Sequence, residues 1–180
     1  MESLGGHLLI AGAGLWDPNF RRTVVLVGHH DDEGALGVVL NRVLDVTVGE
    51  AVPVLGRIVD VEEPVFRGGP VHEASVVVLA DFAEPSKAGV LAFGSIGFLP
   101  DESDDGVISS VRRARVFAGY AGWGAGQLEQ EIAEESWVVE PASAEDVFHP
   151  EPARLWNDVL LRKGRNYDLL RLMPDDPSLN

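Results

Sequence analysis

Short apolar runs separated by turn residues fill most of the chain, and helical spacing becomes clear towards its end. Residues 7–13 (HLLIAGA) and 23–29 (TVVLVGH) are continuous apolar segments rich in β-branched side chains, the pattern of buried strands. Asp17-Pro18-Asn19 between them signals a turn, followed by Phe20 and the pair Arg21-Arg22. A polar stretch from His30 to Gly34 leads into a third run, 35–41, so residues 23–41 read as a hairpin. Thr47 and Glu50 have capping-box spacing, and Pro53 keeps any helix there short or kinked. Val65-Phe66-Arg67 then enters Gly68-Gly69-Pro70. Residues 74–82 are almost wholly apolar, Glu84-Pro85-Ser86 interrupts, and 90–93 and 96–99 are two more short runs. Residues 100–106 read as an acidic, mobile surface loop.

The run from Gly119 to Ile132 is the most distinctive. Four glycines fall within eight positions with Tyr120 and Trp123 between them, and a helical pattern follows. Glycine tolerates positive φ and close backbone approach, so the run predicts a bent strand-to-helix junction fed by a strand at 115–118. The helix, 127–135, places Leu128 and Ile132 on one stripe with Gln127 and Glu131 flanking it. A second helix, 152–163, puts Leu155, Trp156, Val159 and Leu160 on one face. Pro152 stands in its first turn, Arg162 and Lys163 in its last, and Gly164 just beyond. The end of the chain, 174–180, is too proline-rich and acidic for regular structure. The whole, 1–180, reads as one α+β domain.

Composition narrows the function classes. The 180 residues are about one domain, and no apolar run approaches the ~20 residues of a membrane-spanning helix. Cysteine is absent, which removes disulfides, zinc fingers and thiol catalysis and points to a cytoplasmic protein. The net charge is −15, so the molecule as a whole repels polyanions, and direct nucleic-acid binding is not expected. The basic clusters Arg112, Arg113, Arg115 and Arg162, Lys163, Arg165 lie near acids with which they can pair.

Catalytic signatures are incomplete. His72-Glu73 opens a zincin-like pattern, but Val76 replaces the second histidine. Gly94-Ser95-Ile96-Gly97 lacks the first glycine of a nucleophile elbow, where Phe93 stands. Gln127 replaces the last glycine of a dinucleotide fingerprint, and no P-loop is present. His29-His30-Asp31-Asp32-Glu33 reads as a solvated loop rather than a metal site, since neighbours on an extended chain face opposite ways. No metal or cofactor is expected. The free amides of a helix starting near Gly126 could receive an anion, with Tyr120 and Trp123 as walls. Equally, the aromatics could pack inward while Gln127 or Glu131 caps the backbone.

Four motifs together resemble the YqgE/AlgH family of bacterial proteins. They are Asp17-Pro18-Asn19-Phe20-Arg21-Arg22-Thr23-Val24-Val25; His30 with Gly34-Ala35-Leu36-Gly37-Val38-Val39-Leu40-Asn41-Arg42; Arg67-Gly68-Gly69-Pro70-Val71; and the stretch from Phe117 to Ile132. Trp137, Trp156 and the closing Pro177-Ser178-Leu179-Asn180 fit the same pattern, so the resemblance spans the chain. One departure is Val43, where members usually have proline. The resemblance implies an α+β fold with a mixed or antiparallel, bifurcated, partly barrel-like sheet surrounded by helices. It also implies a cytosolic protein without established activity, although some members carry a label as transcriptional regulators. Its polar signature falls on Asp17, Arg21, His30, Asn41, Arg67, Gln127 and Glu131, with Tyr120 and Trp123. Arg42, Gly68, Gly69 and Gly126 stand beside these in the motifs.

The leading expectation is a non-enzymatic binding or regulatory protein acting through a protein partner or a small anionic ligand. The alternative is a hydrolase or transferase of an anionic metabolite, with His30 or Glu131 as base and Arg67 holding charge. Direct DNA regulation ranks last because of the net charge. An anion pocket would be formed by 119–127 together with Arg67 and Asn41.

Overall fold

The computed structural model describes residues 2–174, so the expected irregular tail lies outside the described residues apart from Pro174. Among the described residues are ten strands: β1 (His7–Ala11), β2 (Val24–Asp31), β3 (Gly34–Val39), β4 (Val43–Thr47), β5 (Pro64–Arg67), β6 (Val71–Phe82), β7 (Val90–Phe93), β8 (Ile96–Phe98), β9 (Val111–Gly124) and β10 (Trp137–Pro141). The helices are short: α1 (Val48–Ala51), α2 (Asp105–Ser110), α3 (Gln127–Ala133), α4 (Ala144–Val147), α5 (Leu155–Lys163) and α6 (Asp168–Leu172).

The strands join in the order β10-β1-β2-β3-β9-β6-β8-β7, every neighbour antiparallel. The sheet forks at β9. One edge of β9 pairs with β6, while the other is shared between β5, parallel at Phe117 and Ala118, and β3, antiparallel from Ala121 to Gly124. Strand β4 completes the branch by pairing with β5. This is the expected α+β, bifurcated architecture. The sheet curls but does not close: β10 and β7 end the strand path and are not paired to each other.

Alternation along β1 to β3 feeds two cores. Leu8, Ile10, Val24, Leu26, Val38 and Leu40 pack with Phe66, Leu79, Ile96 and Phe117 of the other arm. The opposite residues Leu9, Ala11, Val25, Val27 and Val39 pack with Trp123, Leu128 and Trp137. Strands buried on both faces read as unbroken apolar runs, which is why these were visible in the sequence. Helix α5 seals the first core with Leu155, Trp156, Val159 and Leu160, all buried, and the Trp156 indole donates to Ala11 O at 3.1 Å. A smaller core under α1 holds Val48, Val65, Val78 and Val116.

The capping box at Thr47 and Glu50 forms, and Pro53 begins a separate 3-10 turn after α1. Two expectations need correction. The glycine-rich run is not a junction over its whole length: β9 continues to Gly124, and the turn is confined to Ala125 and Gly126, the latter at φ 74°. The acidic loop ends at Asp104, whose side chain accepts the Val107 amide and starts α2.

The fork explains the glycines. At Gly119 (φ 72°) a Cβ would sit 2.5 Å from Gly69 O, and Gly68 links both branches through Val39 N→Gly68 O and Gly68 N→Ala118 O. The close approach allowed by Gly68, Gly69 and Gly119 is therefore of strand to strand.

Candidate functional site

The candidate residues fall into separate networks rather than one pocket. The first surrounds the turn before β2. Asp17 accepts the Asn19 amide at 2.8 Å, and Arg42 donates to Pro18 O at 2.6 Å and Arg21 O at 2.9 Å. Arg67 reaches the same turn, donating to Asn19 Oδ1 at 3.0 Å and to Glu73 at 2.7 Å. Asn41 locks the end of β3 to the start of β2, accepting from Val24 N and donating to Arg22 O. Burial, then the neighbouring charges of Arg67 and Arg21, lower the Arg42 guanidinium pKa from its ordinary value, with Asp17 partly opposing them.

The second network lies at the end of β9. Trp123 and Trp137 both donate their indole N–H to Glu131 Oε2, and Gln127 donates to Oε1 of the same carboxylate at 3.0 Å. Gln127 also accepts the Gly124 amide at 3.0 Å. The aromatics turn inward and Phe20 packs on both tryptophan rings, at 6.2 Å and 5.8 Å between centroids. Gln127 and Glu131 thus satisfy the corner internally, the second of the two arrangements the sequence allowed.

His30 belongs to a third. Its Nδ1 accepts the Leu4 amide at 3.1 Å, so the ring proton resides on Nε2 and is donated to Glu129 at 2.7 Å. A bond from its own backbone amide, then the one from His30, holds the Glu129 carboxyl below the ordinary range. His29 points outward to Asp31, so the two adjacent histidines do face apart. His30, Arg67 and Glu131, the three groups an enzyme would have to bring together, each keep their own partners.

Tyr120 leads to a feature that the sequence pattern does not reveal. Its ring lies 5.8 Å from that of His72 and lines a cleft of about 210 Å³ between the arms of the sheet, with Leu36, Val38, Val77, Val90 and Phe98. The cleft exists because Gly28 lets Phe98 come over β2; a Cβ at Gly28 would meet the ring at 2.5 Å. Through Val77, Val90 and Phe98 it continues into an open groove of about 650 Å³ reaching Leu55, Leu99 and Asp101. Leu36, Val76 and Val90, which line the cleft and the groove, are all between 47% and 51% exposed. In the sequence these positions are ordinary strand residues. Their exposure depends on how far the arms stand apart, for which no local signal exists.

A fork-sheeted α+β domain with these motifs defines a class of protein, and comparison places the chain within it. The AlgH-like family model matches residues 8–168, and the chain belongs to that family. A UPF0301 protein of Streptomyces coelicolor is 42% identical over 187 residues, covering 100% of this chain and 97% of the relative. A UPF0301 protein of Chlorobaculum tepidum is 38% identical, covering 97% and 95%. Among solved structures, a crystal structure of a Corynebacterium diphtheriae protein matches with TM-score 0.85 at 28% identity, covering 94% of this chain and 92% of that one. The solution structure of the AlgH protein from Pseudomonas aeruginosa matches with TM-score 0.70 at 28% identity, covering 96% and 95%. Among the described residues, no helix is long and apolar enough to cross a membrane.

Proposed function

We propose that this protein is a non-catalytic binding protein whose protein partner docks over the cleft between the two arms of the sheet. The observation that carries the reading is an apolar cleft with an exposed apolar rim, an arrangement found at interaction sites. At about 210 Å³ the cleft is smaller than the ~300–1,000 Å³ typical of small-molecule sites, and suits one apolar anchor residue of a partner. The open groove beside it accommodates the chain flanking that anchor. Asp101 lines the groove, Glu102 and Asp104 follow it, and the net charge is −15, so the complementary partner is basic around its anchor.

The test is fluorescence anisotropy with a labelled, blocked peptide carrying phenylalanine between lysines. Saturable binding that weakens with salt and disappears in Val90→Asp, but not in the distant exposed-leucine variant Leu169→Asp, is the expected result. Absence of binding, or equal affinity in Val90→Asp, overturns it.

A further inference from the structure

Strand β6 is twelve residues long, but β8 and the residue after it cover one of its edges only from Val78 onward. The bonds Leu99 N→Val78 O and Phe82 N→Ser95 O, at 2.9 Å and 2.8 Å, show that even-numbered residues of β6 turn their backbone groups to that side. Val76 is the next even position, and regular pairing with β9 starts there. Beside it the chain leaves β6 at Pro100, through a turn in which Ser103 Oγ donates to Pro100 O at 2.9 Å. Among the described residues nothing bonds the Val76 N–H and C=O on this edge. They face the groove of about 650 Å³ lined by Val76, Val77, Leu99 and Pro100. Side chains alternate along the strand, so Val77 lines the cleft while Val76 lines only the groove. A chain laid along this edge therefore puts one residue over Val76 and sends the next, opposite Val77, into the cleft.

Other edges of the sheet are guarded. At β10 the Lys163 ammonium donates to Val139 O at 3.0 Å, and Pro141 has no N–H. Strand β7 runs against Gly6, where an added Cβ would stand 2.7 Å from Ala92 O, and β4 is bulged between Val43 and Thr47. Charge selects what β6 receives. Arg67 holds Glu73, Arg57 holds Asp105, and Lys87 Nζ lies with Asp104 Oδ1 against Gly106. Asp101, which lines the groove, and Glu102 after it make no ion pair among the described residues. A lysine or arginine opposite Val76 meets that uncompensated negative charge.

Given the cleft as docking site, we propose that the partner presents an extended basic segment that adds to β6 as a short antiparallel strand. It exchanges backbone bonds with Val76 and places its apolar residue, opposite Val77, in the cleft. The test is fluorescence anisotropy on the full chain with the labelled, blocked peptide carrying phenylalanine between lysines, N-methylated at one backbone position at a time. The phenylalanine N–H faces away from β6, so methylating it should change affinity by no more than about twofold, whereas methylating the lysine opposite Val76 should weaken binding by about tenfold. On the protein side, Val76→Pro deletes the free N–H without removing a bond to β9, and should bind about tenfold more weakly than Val76→Thr. The peptide series uses the wild-type chain and so decides the matter however the proline variant folds. A larger loss at the phenylalanine, no loss at either lysine, or equal affinity in folded Val76→Pro and Val76→Thr overturns strand addition and leaves the docking site standing. No binding of the unmodified peptide to the wild-type chain overturns both.

Discussion

Trp123 and Trp137 donate their indole N–H groups to the same oxygen, Glu131 Oε2, each at 2.9 Å. One residue ends the β9 side of the turn and the other opens β10, so a single carboxylate on α3 fastens both strands to the helix between them.

Removing that carboxylate strands two indole donors in a largely buried place. Glu131→Ala should lower stability by about 2–4 kcal/mol in a reversible denaturant titration. Glu131→Gln retains an accepting oxygen and should cost clearly less. Equal losses in the two variants would show that the acceptor is not what matters.

Trp156 joins α5 to the first core, 4% exposed, with Arg22 stacked 4.7 Å from its ring centroid. Trp156→Ala should cost about 3–5 kcal/mol, combining lost burial with the cavity left behind. A loss under about 1 kcal/mol would mean that α5 does not seal the core.

Two glycines of similar φ separate backbone conformation from crowding. A Cβ added at Gly126 (φ 74°) would meet nothing within 4 Å, whereas at Gly119 (φ 72°) it would run into backbone. Gly126→Ala should therefore cost about 1–2 kcal/mol, the penalty of the left-handed conformation alone. Gly119→Ala should cost more, because the backbone from Gly69 to Glu73, which leads into β6, has to move away from β9. Comparable losses would remove the fork as the reason for that glycine.

Asp81 gives a pH dependence of known sign. Burial alone would raise its pKa, but the Ser95 hydroxyl at 2.7 Å, with Arg112 and Arg113, outweighs burial and lowers it below the ordinary value. A depressed folded pKa gives stability that is complete above the unfolded value of about 3.9 and is lost as pH falls through the folded one. The stability difference between wild type and Asp81→Asn should stay constant from neutral pH to about 4 and shrink below that. A difference that grows on acidification would reverse the assignment.

What the sequence determined by itself was set by local chemistry. Unbroken apolar runs marked β1, β2 and β3, since burial on both faces leaves no polar alternation. Thr47 with Glu50 marked a helix start, and Gly164 marked the end of α5, because caps and breakers act within a few residues. Pro152 instead opens a 3-10 turn over 152–154 that runs into α5, and does not stand in the first turn of that helix. The motifs around Asp17, Asn41, Arg67 and Trp123 were enough to place the family. Tertiary structure alone decided what those residues touch. Arg67 meets Asn19 across 48 positions, His30 meets Glu129 across 99, and Gly68 proves to be a close crossing of strands rather than a ligand cradle. The cleft at Tyr120 was equally invisible. Whether Leu36 or Val90 is buried depends on the gap between two arms of a curled sheet, and the chain pattern of an apolar strand is the same in either case.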